Sequence, residues 1–375
     1  MTSLGAPLAD DPARSPDPPR GRTLGAALST PANALNALRL LLALLVIVSH
    51  TPAVTGTTSW PSWVEALGGW AVLGFFTISG YLIVGSRLRS SWWSYAIRRL
   101  ARIFPAYWAQ LLFVGLAAAP AAAAWGFGQW DPAVALGYIA DNATTFGLSW
   151  TMDGIAMPHY DAWNGSAWTL SYELLAYLGC LVLFWVPGTR RRPTATCAVV
   201  LLGLLAFNLV VVPAADVTTN LYLHLGRLGS YFVGGMLLHC LRDRLPLRGW
   251  AAAAGLALAL ALLTTDWGGH VAQLPLAYGL LGLGGVLPLR LGVSNDLSYG
   301  TYLFAFPVQQ LVTMAHPEVD RPLLHVLVST ALTLLAAAAS WRLVERPAMT
   351  AARAAIGLVR GSVRASEPGV PARLG

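Results

Sequence analysis

"RLLLALLVIVSH", residues 39–50, decides the fold. Nine unbroken apolar residues, Leu40 to Val48, lie between a guanidinium and an imidazole. As an α-helix, eleven residues turn about 1100° and rise about 16 Å, so Arg39 and His50 share one face, three turns apart. A run fit for lipid that carries two ionisable groups is by default a functional segment. Each group also has a plainer reading. Arg39 can snorkel from a helix end, and His50, just before Thr51-Pro52, can be a hydrogen-bonded buried ring. A neutral imidazole held there can act as a general base.

Composition agrees with a membrane setting. The 375 residues are 56% hydrophobic and 11% charged, against about 25% charged for a soluble domain, and the mean hydropathy is positive. All 24 basic residues are Arg, a bias that points to a GC-rich, bacterial genome. The net charge of +7 is explained by positive-inside loops rather than by nucleic acid. Cys180, Cys197 and Cys240 lie in apolar runs without metal-ligand spacing and are read as packing residues; no metal is expected.

A span needs roughly 20 apolar residues. Ten segments qualify, near 34–54, 66–86, 103–124, 167–186, 194–213, 224–241, 249–266, 272–289, 297–315 and 323–343. The fold class is therefore all-α, a polytopic transmembrane bundle of about ten spanning helices. Alternating sides puts Arg14, Arg20, Arg22, Arg87, Arg89, Arg98, Arg99, Arg102, the "GTRRRP" turn, Arg242, Arg244, Arg248, Arg290, Arg353, Arg360, Arg364 and Arg373 on one side. Glu65, Asp131, Asp141, Asp153, Asp161, Asp216, Asp266, Glu318 and Asp320 fall on the other, with Arg321. Both termini are then cytoplasmic in a plasma (inner) membrane. Residues 1–32 read as a disordered cytoplasmic tail, 33–349 as the membrane domain and 350–375 as a C-terminal tail. The long connection 125–165, rich in Trp, is expected to hold interfacial or re-entrant helices. The sequons at Asn142 and Asn164 are discounted, and there is no internal repeat.

Three further clusters carry chemistry. In "SYAIRRLARIFPAYW", Arg98, Arg99 and Arg102 sit three and four apart, neighbours on a helix and suited to phosphate; ordinary positive-inside flanking is the alternative. In "NGSAWTLSYELLAYL", Ser166, Thr169, Glu173 and Tyr177 share a helical face, while Trp168 is about 140° from Glu173 and reads as an anchor or wall. A carboxylate at that depth needs a partner, a polar substrate or a proton. Arg227 could answer it, or be merely interfacial. In "LSYGTYLFAFPVQQ", Tyr299, Tyr302, Gln309 and Gln310 line a polar cavity or bridge helices. "SWRLVERP" closes the last span, with Glu345-Arg346 at its end.

Taken in order, "NALRLLLALLVIVSH", "GFFTISGYLI", "RRLARIFPAYW", "NGSAWTLSYE", "LSYGTYLFAFPV" and "SWRLVERP" resemble the acyltransferase 3 family of integral-membrane O-acyltransferases. The resemblance places the family's basic residue and His on Arg39 and His50, its Arg-x-x-Arg pair on Arg99 and Arg102, and its Trp/Glu element on Trp168 and Glu173. It implies acyl-CoA (acetyl-CoA above all) as co-substrate, and a hydroxyl-bearing acceptor: a glycan, a lipid-linked sugar or a small metabolite. It implies His50 as general base with Glu173 orienting it or holding the acceptor. Arg39, Arg98, Arg99 and Arg102 would bind donor; Ser166, Trp168, Tyr302 and Arg227 would bind acceptor. Many members carry a His where this chain has Ala305. The alternative is a proton-coupled transporter or flippase of a polar or lipid-linked substrate, against which stands the lack of a repeat.

Overall fold

A computed structural model of the chain describes residues 22–30, 33–265, 267–289, 295–316 and 321–365. The expected tail up to residue 21, and Arg14, Arg20, Asp266, Arg290, Glu318, Asp320 and Arg373 of the charge map, lie outside the described residues. The fold is all-α. Among the described residues no strand forms, only isolated bridges such as Thr23 to Pro246 and Gly128 to Ile155.

Each of the ten apolar segments is helical. They are α2 (Leu35–Thr55), α3 (Trp63–Arg89), α4 (Trp92–Ala124), α6 (Trp168–Leu183), α7 (Pro193–Ala214), α8 (Asn220–Leu241), α9 (Gly249–Leu263), α10 (Gln273–Val286), α11 (Ser298–Ala315) and α12 (Pro322–Ser340). Before them comes α1 (Leu24–Leu28), between α4 and α6 lies α5 (Pro132–Asp141), and α12 continues through a wide turn into α13 (Arg346–Ala365). The segments over α2, α3, α4, α7 and α12–α13 are long and apolar enough to cross a membrane; α6, α9 and α10 are apolar but shorter.

Three prolines set the irregularities. Residues Val114–Ala118, Phe207–Val211 and Trp341–Glu345 form π turns, and Pro120, Pro213 and Pro347 each follow two residues after one of them. Proline removes an N–H and its ring crowds the carbonyl four residues back. Those residues, Leu116, Leu209 and Leu343, are the centres of the three turns, where the wider i→i+5 winding relieves the crowding. The third turn matters most. It brings Ser340 and Glu345, five apart, within hydrogen-bond distance (3.1 Å). In a regular α-helix they would diverge by about 140°.

Two corrections concern the ends. The tail was expected to run to residue 32, but Thr23 caps α1 and Leu24 is fully buried against Leu35, Tyr81, Leu238 and Leu281, so the apolar content of "LGAAL" is enough to dock it. Residues 350–365, read from the sequence only as part of a C-terminal tail, are helix. Ala352 and Ile356 are buried where α13 packs on α4. The connection 125–165 contains α5 over "PAVALGYIAD", as its apolar stretch predicted. Asn142 and Asn164 are buried. Their amides bond Tyr138 O (2.9 Å) and Leu303 O (3.1 Å), so neither sequon is presented.

Between α3 and α8 the backbones touch. A β-carbon on Gly80 would collide with the Phe232 carbonyl, and one on Gly235 with the Thr77 carbonyl. With lipid as apolar as the side chains, such van der Waals packing is what holds spans together. Helix α11 is the central post: Ser298 through Gln310 are all buried. Gln309 Nε2 donates to Ile47 O (2.9 Å) and Thr51 Oγ1 (3.1 Å) on α2. Gln310 Nε2 donates to Tyr160 O and Ala162 O (both 2.8 Å), which ties the long connection to the core. Gly235→Val should therefore cost about 1–3 kcal/mol, read as a lower midpoint of thermal unfolding in detergent, while Gly69→Val, where a β-carbon meets open space, should leave the midpoint within a degree or two.

Candidate active site

At the arginine-rich end a cavity of about 300 Å³ opens between α2, α3, α4, α6, α11 and α13. Five guanidiniums line it, those of Arg39, Arg98, Arg99, Arg102 and Arg353, against the carboxylates of Glu173 and Asp296. A narrower cavity of about 40 Å³ shares Arg39, Ser79, Glu173 and Tyr299 with it. This second cavity extends into the bundle past Val72, Phe76 and Thr169 to Tyr302.

The arginines divide by what they touch. Arg39 Nη1 and Arg102 Nη2 both reach Asp296 Oδ2 (2.5 Å each), and Arg102 Nη1 reaches Glu345 Oε2 (2.9 Å). Arg102 also lies over the Tyr299 ring (5.1 Å) and the Trp341 ring (5.9 Å). Arg102 was expected to hold a phosphate, yet its guanidinium is committed to two carboxylates. Arg99, over the Tyr177 ring at 5.9 Å, has a buried Nε without a partner. Asp296 also accepts from Ser298 N (3.3 Å) and Oγ (2.6 Å), so one carboxylate starts α11 and clamps α2 to α4. Burial opposes its charge, but Arg102 and Arg39 outweigh burial and hold its carboxyl well below the usual carboxylate range.

Sequence reasoning missed Asp296 and Arg353 as cavity residues and took Glu345 only as a helix end. A signal existed: Asp296 and Glu345 are acidic residues on the arginine-rich side of the charge map, where an acid has cationic partners to meet.

Among the described contacts none joins Glu173 to His50. The Glu173 carboxylate accepts from Tyr177 OH, one turn on, and it lines both cavities beside Arg39. His50 lines neither. Its ring packs edge-on against Phe306 (centroids 5.0 Å apart), and its Nδ1 is buried without a hydrogen-bond partner. Phe306 lies one turn beyond Tyr302, the deep end of the second cavity. The expected shared face of α6 holds for Thr169 and Glu173, which line that cavity. Tyr302 OH bonds Ser166 O (2.9 Å) and Thr169 Oγ1 (2.6 Å). Ser166 Oγ is turned to Asn164 Oδ1 (2.9 Å). Trp168 faces away, against His224 (4.5 Å) and Tyr172 (5.6 Å). Arg227 meets no carboxylate among the described ion pairs; its guanidinium lies by Gly269. Cys180, Cys197 and Cys240 are free thiols, and the described residues hold no group of three or more metal-ligating side chains.

The acyltransferase domain family model, acyltransferase 3, matches residues 32–342. The chain belongs to that family and is a membrane acyltransferase. It is 27% identical over 343 residues to the O-acetyl transferase of Shigella phage Sf6, an alignment that covers 85% of this chain and 96% of the phage protein. No solved structure matches.

The Asp296 clamp gives a direct test. Asp296→Asn leaves Arg39 and Arg102 facing each other across a neutral amide. Breaking a buried pair costs about 3–5 kcal/mol, and the partial exposure of this one puts the loss at the lower end. A lowered unfolding midpoint in detergent at pH 7 checks it. Because the folded carboxyl titrates below its unfolded value of about 3.9, its contribution is present above that value and fades only as pH falls further. The stability gap between wild type and Asp296→Asn should therefore be constant from pH 7 to pH 5.

Proposed function

We propose that this protein moves an acetyl or other short acyl group from acyl-CoA, at the plasma membrane, to a hydroxyl of a glycan, a lipid-linked sugar or a small metabolite. The observation that carries this reading is the guanidinium-lined cavity with a narrow apolar extension. Its mouth suits a polyanionic nucleotide, because cations outnumber anions on its wall, and its extension suits a thin pantetheine arm. The name of the phage relative supports acetyl as the group and oxygen as its destination.

The roles then follow from contacts. Arg98 and Arg99 on α4, with Arg353 across the mouth on α13, bind donor phosphates. Arg39 and Arg102, paired to Asp296 and Glu345, position that wall and add to its field. The arm passes Ser79, Glu173 and Thr169 towards Tyr302, and the thioester meets the acceptor near His50, one turn further. His50 takes the proton of the acceptor hydroxyl as its oxygen attacks the thioester carbonyl; the C–S bond then breaks and CoA leaves as the thiol, taking that proton from His50. The unpartnered Nδ1 and the apolar collar of Phe306 suit such a base. Glu173, bonded to Tyr177 at the junction of the cavities, positions the arm.

Two variants separate these roles when the purified enzyme is assayed with acetyl-CoA and extracted acceptor. His50→Ala should lower kcat by about 10²–10⁴-fold, the usual worth of a general base, and leave CoA affinity unchanged; full activity removes His50 as base. Arg99→Ala should raise the KM for acetyl-CoA about tenfold, as for one lost charge-assisted contact, with little change in the KM for acceptor. Equal effects on both substrates would remove Arg99 from the phosphate site.

A further inference from the structure

A third cavity, of about 220 Å³, lies beside the narrow extension of the arginine cavity, between α6, α7 and α8. Leu183, Val200, Leu204 and Leu228 build its wall, and such a space suits hydrocarbon. Gly179 and Gly229 leave room in it. A β-carbon on Gly179 would meet nothing within 4 Å, and one on Gly229 would have Leu204 at 3.7 Å as its nearest neighbour.

Two rings part this cavity from the extension. Phe76 of α3 and Phe232 of α8 line both spaces, and both are buried. Helix α6 shows how near the two spaces lie. Its Thr169, Leu170 and Glu173 face the extension, and its Ala176, Gly179 and Leu183 face the larger cavity. Those faces are about 90° apart around the helix. The partition is braced from all three helices. Gly80 of α3 packs on the Phe232 carbonyl, where a β-carbon would collide, and the Tyr177 ring of α6 stands 6.3 Å from that of Phe232.

The partition also stands at the height of the chemistry. Tyr302, at the deep end of the extension, packs edge-on against Phe75 (centroids 5.6 Å apart), the residue next to Phe76. A donor arm that ends there brings its acyl group level with the two rings. An acetyl group is small enough to end within the extension. Each further methylene needs space that a cavity of about 40 Å³ does not have, and the adjoining apolar space lies behind Phe76 and Phe232. One methylene too many for an apolar pocket is worth about 10–200-fold in rate.

We propose that Phe76 and Phe232 set the length of acyl chain this enzyme transfers, by closing the donor extension off from the apolar cavity between α6, α7 and α8. The proposal rests on the acyl-CoA reading above, and its test keeps the two apart. The reaction is the same for every chain length: the acceptor oxygen bonds to the carbonyl carbon, the C–S bond breaks and CoA leaves as the thiol. Each purified protein is given equimolar acetyl-CoA and octanoyl-CoA with an acceptor extract from source cells deleted for the gene. Acetate and octanoate released from the product by base are then counted. Both are read in one tube, so a loss of folded protein cancels from their ratio. The wild type should transfer acetyl at least about tenfold more than octanoyl. Phe76→Ala and Phe232→Ala should each raise the octanoyl-to-acetyl ratio about tenfold or more, and Phe76→Leu, a milder trim that keeps the span packed, should raise it by a smaller factor. Gly229→Leu fills the cavity behind the rings. Added to Phe76→Ala it should return the ratio to the wild-type value, and alone it should leave that value unchanged. An unchanged ratio in all three phenylalanine variants overturns the proposal, as does a raised ratio that survives Gly229→Leu, or a wild type that takes octanoyl as readily as acetyl. A wild type that transfers neither group from CoA overturns the donor reading, and this proposal with it.

Discussion

One carboxylate, Asp296, accepts two guanidiniums from helices that are 63 residues apart in sequence at those positions, Arg39 of α2 and Arg102 of α4. The architecture of the arginine end depends on it. Without an anion between them these two cations, brought to one place by the packing of their helices, would repel each other in a region where water is scarce and charge is poorly screened. With it, α2, α4 and α11 are fixed at the same height, and Glu345 adds α12 through its own contact with Arg102. The arginine-lined cavity is the space that this clamp holds open.

The clamp needs two backbone devices. Asp296 must sit just ahead of α11, where its other oxygen accepts from Ser298 N and Oγ, and Glu345 must turn inward at the end of α12. The second requirement is met by the π turn at Trp341–Glu345, for which Pro347 supplies the cause. A proline that looks like a helix stop in the sequence thus serves to rotate an acid into a cationic cluster, and the chain then continues as α13. That continuation roofs the cavity and contributes Arg353 to it.

The ten helices were legible in the sequence because apolar length in a bilayer leaves the backbone few alternatives. The face shared by Thr169 and Glu173 was legible because it follows from helical repeat alone. What escaped was of another kind. That Arg102 would be spent on Asp296 and Glu345, 194 and 243 residues away, depends on which helices become neighbours, and hydropathy is silent on that. The docking of Leu24 and the amphipathic packing of α13 escaped because both segments are too short or too polar to register as spans, yet each has apolar residues enough to bury one side. Among the described contacts none joins His50 to Glu173. Spacing within one helix could place each on a face, and only the packing of α2 against α11 shows that Phe306 stands at the imidazole.

Among the described residues, the cavity at the arginine end is lined by five guanidiniums and two carboxylates, and the cavity between α2, α11 and α12 at the other end by neither. His50 is the titratable side chain of α2 between Val46 and Thr55. That an apolar helix carries a guanidinium and an imidazole three turns apart has a physical reason in this arrangement. The guanidinium belongs to the clamp that shapes one entrance, and the imidazole lies against Phe306, one turn of α11 beyond the Tyr302 that lines the inner cavity.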